Sequence, residues 1–289
     1  MECIFSIDVE DWFHILDVPS MPDISRWSSM ASSVEKNFLR LLDLCDQNGV
    51  AATCFFLGWV AEKFPHLVKE AGRRGHEIAS HGYAHRLVYK MTPRDFLDDA
   101  VRSRQILQDL TGGAIEGYRS SGFSVTAETP WFFDALVQAG YRYDSSLFPA
   151  KRAHGGIESA RCAPYRLGRN AASLIEFPMT VTRVFGRRWC FFGGGYLRLA
   201  PGFVIRRMAR RVLTEGRPVI FYIHPREIDP DHPRLPMSLT RSFKSYVNLQ
   251  GTEAKIRAIL REFHFQTFSR FIAERGIELG QENNQHAEA

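Results

Sequence analysis

Short apolar runs alternate with longer amphipathic segments along almost the whole chain, and this alternation restricts the fold more than any other feature. The runs CIFSID (3–8), AATCFFL (51–57), HEIAS (76–80), YRYD (141–144), SLIEFP (173–178), VIFYIH (219–224) and FQTFS (265–269) have strand length and strand composition. Between them, 34–49, 92–113, 129–140, 200–216 and 252–263 space their apolar residues at helical intervals. The first of these helices stops at Asn48-Gly49, and the second opens with Thr92 as N-cap and Pro93 in its first turn. Thr129 and Pro130 repeat that device. Strand followed by helix, repeated, builds a parallel sheet, and right-handed crossovers curl it into a barrel or a doubly wound sheet. The expectation is an α/β fold with a single catalytic domain over 1–280. The polar tail QENNQHAEA (281–289) is expected to fray.

Composition adds little beyond this. With 45% hydrophobic and 24% charged residues, 289 residues suffice for one large core. A net charge of +5 suits an anionic substrate and a membrane surface equally, and selects neither. Five cysteines, scattered and without a C-x-x-C pair, read as reduced thiols. Acids appear within the opening MECIFSIDVEDW before any long apolar run, so no secretion signal is read. No window approaches the ~20 apolar residues of a spanning helix. A cytoplasmic protein is expected, with peripheral membrane docking as the one exception. Nucleic acid is not expected as a partner, because no basic-aromatic module is present.

The chemically useful side chains gather at one kind of position. Asp8, Glu10 and Asp11 follow the first strand, His81 and His85 the third, Arg119 the segment GAIEGY, while Asp144 and His224 end YRYD and VIFYIH. In parallel α/β folds the C-terminal rim of the sheet is where loops converge and chemistry is done. A histidine pair four residues apart is by itself ordinary, but a carboxylate with two imidazoles forms a recognised catalytic zinc set. Such an ion polarises a carbonyl and acidifies bound water, a second carboxylate can take the proton, and a separate histidine can protonate a leaving group.

These residues resemble the polysaccharide deacetylases, carbohydrate esterase family four, over roughly residues 3 to 272. SIDVED resembles the family's first motif, SHGYAH its second, GYRSSGFS its third, YDSS its fourth and FYIHP its fifth. The resemblance implies a distorted (β/α)7 barrel. It implies Asp8 as general base, His81 and His85 as metal ligands, and His224 as general acid. Arg119 would pair with Asp8, and Asp144 would support His224. The implied cofactor is a divalent ion, zinc first, with cobalt or nickel as alternatives. The implied reaction is metal-dependent removal of acetyl from an N-acetylated amino sugar.

Two positions depart from the family pattern. Val9 follows Asp8 where the family has adjacent aspartates, so the third ligand is Glu10 or Asp11; a D-V-D or D-V-E subgroup favours Glu10. Ser120 and Ser121 stand where proline is usual near the arginine, which changes the groove rather than the chemistry. The DVEDWF opening resembles a subgroup without secretion signals, associated with cell-surface glycan or exopolysaccharide assembly. That implies a glycan or glycolipid substrate still on a lipid or nucleotide carrier. Two rivals stand beside this reading: a same-fold amidase acting on a small cyclic amide or ureide, and a glycan-binding relative without turnover.

Other features read blandly or weakly. His14, His66, His76, His154 and His264 lack motif support and read as surface or packing residues. Trp12 is core or faces a sugar ring. FFGGGY (191–196) has no phosphate-binding context and reads as a flexible substrate loop. RRMARR (206–211) reads as a solvated helix face, with anionic headgroups as the alternative partner.

Overall fold

A computed structural model describes residues 2–16, 18, 20–152, 155–167 and 173–275; the tail at 281–289 and His154 lie outside them. The chain runs through β1 (Cys3–Val9), α1 (Ile24–Trp27), α2 (Val34–Asp46), β2 (Thr53–Phe56), α3 (Gly58–Lys63), α4 (Pro65–Arg73) and β3 (Glu77–Ser80). It continues with α5 (Pro93–Thr111), β4 (Gly117–Tyr118), α6 (Phe132–Gln138), β5 (Tyr143–Asp144), β6 (Tyr165–Leu167) and β7 (Leu174–Glu176). A hairpin of β8 (Thr182–Val184) and β9 (Arg187–Trp189) follows, then α7 (Gly194–Leu199) and α8 (Gly202–Thr214). The last elements are β10 (Val219–Ile223), α9 (Leu239–Tyr246), α10 (Thr252–Glu262), β11 (Phe265–Gln266) and α11 (Phe268–Arg275).

The main sheet has the order β10-β1-β2-β3-β4-β5-β7-β6, with β11 joining β1 at Cys3 and Ile4. Every pairing is parallel except β6 with β7. The sheet curls into an open half-barrel, the distorted α/β barrel expected from the sequence.

Strand periodicity decides what enters the barrel. Alternate residues point to opposite faces. In β1, Cys3, Phe5, Ile7 and Val9 pack outward against α2 and its neighbours. Ile4 points inward and meets Phe55, Ala79, Tyr143, Ile220 and Phe268 in a second core. Each fully buried phenylalanine there contributes roughly 2–3 kcal/mol. The inward phase of β1 runs Ile4, Ser6, Asp8, and that of β10 runs Ile220, Tyr222, then His224 just past its end. The interior is therefore apolar at its base and turns polar at its C-terminal rim.

Several elements differ from the sequence reading. β4 has only two residues, and Gly117 is obligatory because a Cβ there would lie 2.0 Å from the Tyr143 ring. The run 265–269 is a strand only at Phe265–Gln266; Phe268 begins α11 and plugs the barrel base. The helix expected from Thr129 begins at Phe132 without a side-chain cap, since the Thr129 hydroxyl bonds back to the Thr126 carbonyl.

Candidate metal centre and active site

Asp8 enters the barrel rim because β1 puts it in phase with Ser6. Both are anchored by Arg119, which follows β4 and is wholly buried. Arg119 Nη1 donates to Asp8 Oδ1 at 2.6 Å and to Ser6 Oγ at 2.8 Å. Its Nε and Nη2 donate to the carbonyl and hydroxyl of Ser145, both at 3.2 Å. The guanidinium lies 4.1 Å from the Phe55 ring centroid. A buried charge is tolerated only with such pairing, and here it fixes one Asp8 oxygen and leaves the other facing His224.

The SHGYAH loop is shaped by Asp99 on α5. The Asp99 carboxylate accepts from the backbone N–H groups of Tyr83 at 2.7 Å and Ala84 at 3.2 Å. Gly82 lies in the left-handed region at φ +74, and a Cβ would come 2.9 Å from Asp99 Oδ1. His85 itself has φ 51, a costly conformation for a histidine that the loop enforces. His81 Nδ1 donates to the Arg119 carbonyl at 2.8 Å, which leaves Nε2 as the nitrogen with a free lone pair. Burial pulls the His81 pKa down to about 4, outweighing Asp8 and Glu10, so the ring is a neutral ligand near pH 7.

Glu10 continues the inward phase one step beyond β1. Ligand atoms of Glu10, His81 and His85 all lie within 4.8 Å of one another, and all three side chains are buried. Glu10 Oε2 sits 2.6 Å from His85 Nε2 yet has no aligned hydrogen-bond partner. An anionic oxygen left so costs free energy that a cation would recover. One carboxylate and two imidazoles match the donor set of a divalent, zinc-type site. Burial raises the Glu10 pKa, but His85, His224 and His81 lower it more, leaving the carboxyl well below its usual range.

His224 closes the rim from the far side. Glu227 Oε2 accepts from the His224 backbone N–H at 3.0 Å and lies 2.9 Å from Nδ1. Arg198 Nε in turn donates to Glu227 Oε1 at 2.8 Å. With Nδ1 so engaged, Nε2 faces Glu10 Oε1 at 3.2 Å and Asp8 Oδ2 at 3.9 Å. Burial lowers the His224 pKa, but Glu10, Glu227 and Asp8 together raise it above the ordinary imidazole value.

Asp8, Glu10, His81, His85, Arg119 and His224 therefore converge; Asp11 and Asp144 do not. Asp11 Oδ1 accepts from Trp12 N–H at 2.9 Å and Ser33 N–H at 3.2 Å, and its carboxylate also binds the Ser32 hydroxyl. It caps two turns and is not part of the Glu10, His81 and His85 group. Asp144 hydrogen-bonds Ser146 Oγ at 2.5 Å and lies beside Glu176, its partner across β5 and β7. The carboxylate on His224 is Glu227 instead. Trp12 is buried and donates Nε1–H to the Ala31 carbonyl at 2.9 Å, the core placement of the two read for it. FFGGGY is not a free loop: Phe192 is buried, Gly193 lies against the Tyr222 ring, and Gly194 starts α7.

Two participants escaped the sequence reading. Glu227 stands three residues after His224, the spacing of a capping box, and that signal could have found it. Arg198 carried none. His14, by contrast, keeps the packing role read for it: it is fully buried with its ring 5.8 Å from that of His85 and its Nδ1 accepting the Asp11 N–H at 3.0 Å.

Residues 29–143 match the family model described as polysaccharide deacetylase, and 145–273 match one described as a domain of unknown function, DUF3473. The match to the polysaccharide deacetylase model takes in less than half of the chain. His81, His85 and Arg119 lie in the deacetylase span, His224, Glu227 and Arg198 in the other, and Asp8 and Glu10 precede both. A Helicobacter pylori peptidoglycan deacetylase is 33% identical over 108 residues, which are 37% of this chain and 36% of that protein. The matched part thus spans just over a third of that relative. A solved Mycobacterium smegmatis structure named for polysaccharide deacetylase superposes with TM-score 0.65 at 18% identity, covering 100% of this chain and 94% of that one. Puue allantoinase superposes with TM-score 0.62 at 17% identity, covering 96% and 91%. Both likenesses concern the fold alone. Among the described residues no helix is long and apolar enough to cross a membrane.

Proposed function

We propose that this protein is a metal-dependent N-deacetylase that removes acetyl from an N-acetylated amino sugar. The observation that carries the reading is the buried Glu10, His81 and His85 set at the barrel rim, with Asp8 and His224 beside it. A divalent ion held by those three ligands, zinc first, supplies a polarised acetamide carbonyl and an acidified water. Asp8 Oδ2 accepts the proton of the attacking water while Arg119 holds Oδ1. His224 Nε2–H donates to the departing nitrogen, and Glu227 stabilises the imidazolium until that transfer. Acetate and a free amino sugar leave.

Arg119 of one matched span bonds Ser145 of the other at 3.2 Å, which supports a single catalytic domain over 1–280. The substrate is a cell-surface glycan or glycolipid precursor on a lipid or nucleotide carrier, processed in the cytoplasm. The five free cysteines, four of them buried, suit that reducing compartment. Mass spectrometry of lipid-linked glycans from cells with and without the protein tests the proposal. The expected shift is one acetyl group, absent in cells carrying only His224→Ala. Identical glycans in all three strains overturn it.

A further inference from the structure

Nine large apolar side chains are exposed among the described residues, and seven of them fall in two stretches. Phe185, Trp189, Tyr196, Leu199 and Phe203 belong to the first, Leu239 and Phe243 to the second. The stretches adjoin. The Trp189 and Tyr196 rings meet edge to face at 5.9 Å. Arg211 of α8 donates to the Arg183 carbonyl of the hairpin at 3.0 Å. Arg198 of α7 donates to the Lys244 and Ser245 carbonyls of α9 at 2.8 and 2.9 Å. Tyr196 and Leu199 are three apart and Leu239 and Phe243 four apart, so each pair shares one face of its helix.

Phe185 is the extreme case. It tops the β8–β9 hairpin with 101% exposure. Its φ is 49 and that of Gly186 is 76, the two left-handed residues of a tight hairpin turn. Asparagine or glycine suits that first position, and a phenylalanine held there is strained while touching no core. Strain kept without packing gain points to a use outside the fold.

The charge around these residues has one sign. From 177 to 214 the chain has eight arginines and no aspartate or glutamate, and from 232 to 252 it has Arg234, Arg241 and Lys244 and again no acid. Glu262 neutralises Arg206 and Arg210, and Glu215 lies against Arg211. Arg183, Arg187 and Arg207 have no carboxylate partner among the described residues.

We propose that the β8–β9 tip and the adjoining exposed faces of α7, α8 and α9 dock on an anionic lipid bilayer. Exposed aromatics insert at the headgroup boundary, and unpaired arginines meet lipid phosphates. A soluble glycan would use flat aromatic faces, but it gains little from Leu199, Leu239 or a protruding hairpin tip. The inference is independent of the deacetylase reading.

The test is co-sedimentation of the full chain with vesicles of phosphatidylglycerol and phosphatidylcholine, against phosphatidylcholine alone. Tryptophan fluorescence serves as a second readout, because Trp12, Trp27 and Trp59 are buried, Trp131 is half-buried and Trp189 is exposed. The expected result is binding to anionic vesicles only, weakened by salt, with a blue shift that Trp189→Phe diminishes. Phe185→Ser is expected to weaken partitioning roughly tenfold, with an unchanged melting temperature. Arg183→Gln with Arg187→Gln is expected to do the same through charge. Equal binding to neutral vesicles, no binding, or no effect of Phe185→Ser overturns the proposal. So does a dimer that Phe185→Ser dissolves, or a fluorescence shift produced by soluble amino-sugar oligomers and not by vesicles.

Discussion

Glu227 grips His224 at two points, accepting its backbone N–H at 3.0 Å and standing 2.9 Å from its ring Nδ1. One carboxylate thereby sets both the rotation of the ring and its proton-bearing nitrogen. Glu227→Gln keeps the shape and removes the charge. Steady-state kinetics are expected to show kcat lowered about 10–100-fold, with little change in KM or metal content. An unchanged kcat would mean that His224 needs no such partner.

Arg119 joins the two halves of the site: its side chain holds Asp8, and its carbonyl accepts from His81. Arg119→Ala leaves Asp8 and Ser6 buried without their donor. The expected loss is about 3–5 kcal/mol, read as a large fall in denaturant midpoint. Arg119→Lys is expected to recover only part, because one ammonium cannot reach Asp8, Ser6 and Ser145 together.

Asp99 touches no proposed ligand, yet it ties down the loop between His81 and His85. Calorimetric titration of apo protein with zinc is expected to show affinity reduced about 10–100-fold in Asp99→Ala. Asp98→Ala, one residue away and exposed, is the control and is expected to bind normally.

Asp144 and Glu176 predict a pH-dependent stability. Burial raises the Asp144 pKa from its ordinary 3.8 to about 6, and burial with the Asp144 charge raises that of Glu176 well above normal. The folded state then binds more protons than the unfolded chain across that window. Their contribution is greatest below pH 3.8 and falls as pH rises toward 6. Glu176→Gln is expected to flatten this slope and to gain stability near neutral pH. Denaturant midpoints across the window read it directly; a parallel slope in the variant counts against it.

The fold was legible where strands are long and doubly buried. CIFSID and VIFYIH announce themselves because both faces are apolar up to the rim. Gly117–Tyr118 did not, because two residues carry no period. The short helices α1, α3, α4, α7, α9 and α11 were missed because each shows too few turns for a stripe to emerge. At the site, Asp8, His81, His85 and His224 were readable from motif and rim position. The choice between Glu10 and Asp11 was not, since it depends on which carboxylate continues the inward phase of β1 and which caps the following turn. Asp144 was assigned to His224 from the resemblance of YDSS to a family motif, and sequence order does not say which of several rim carboxylates meets the ring. Arg198 reaches Glu227 from another element altogether.

Metal content across three variants tests the central claim most directly. Plasma mass spectrometry on purified protein is expected to find one divalent ion per chain in the wild type and in Asp11→Asn. It is expected to find none in Glu10→Gln or His81→Ala, each checked for folding by circular dichroism. An ion retained by Glu10→Gln, or lost from a folded Asp11→Asn, contradicts the account.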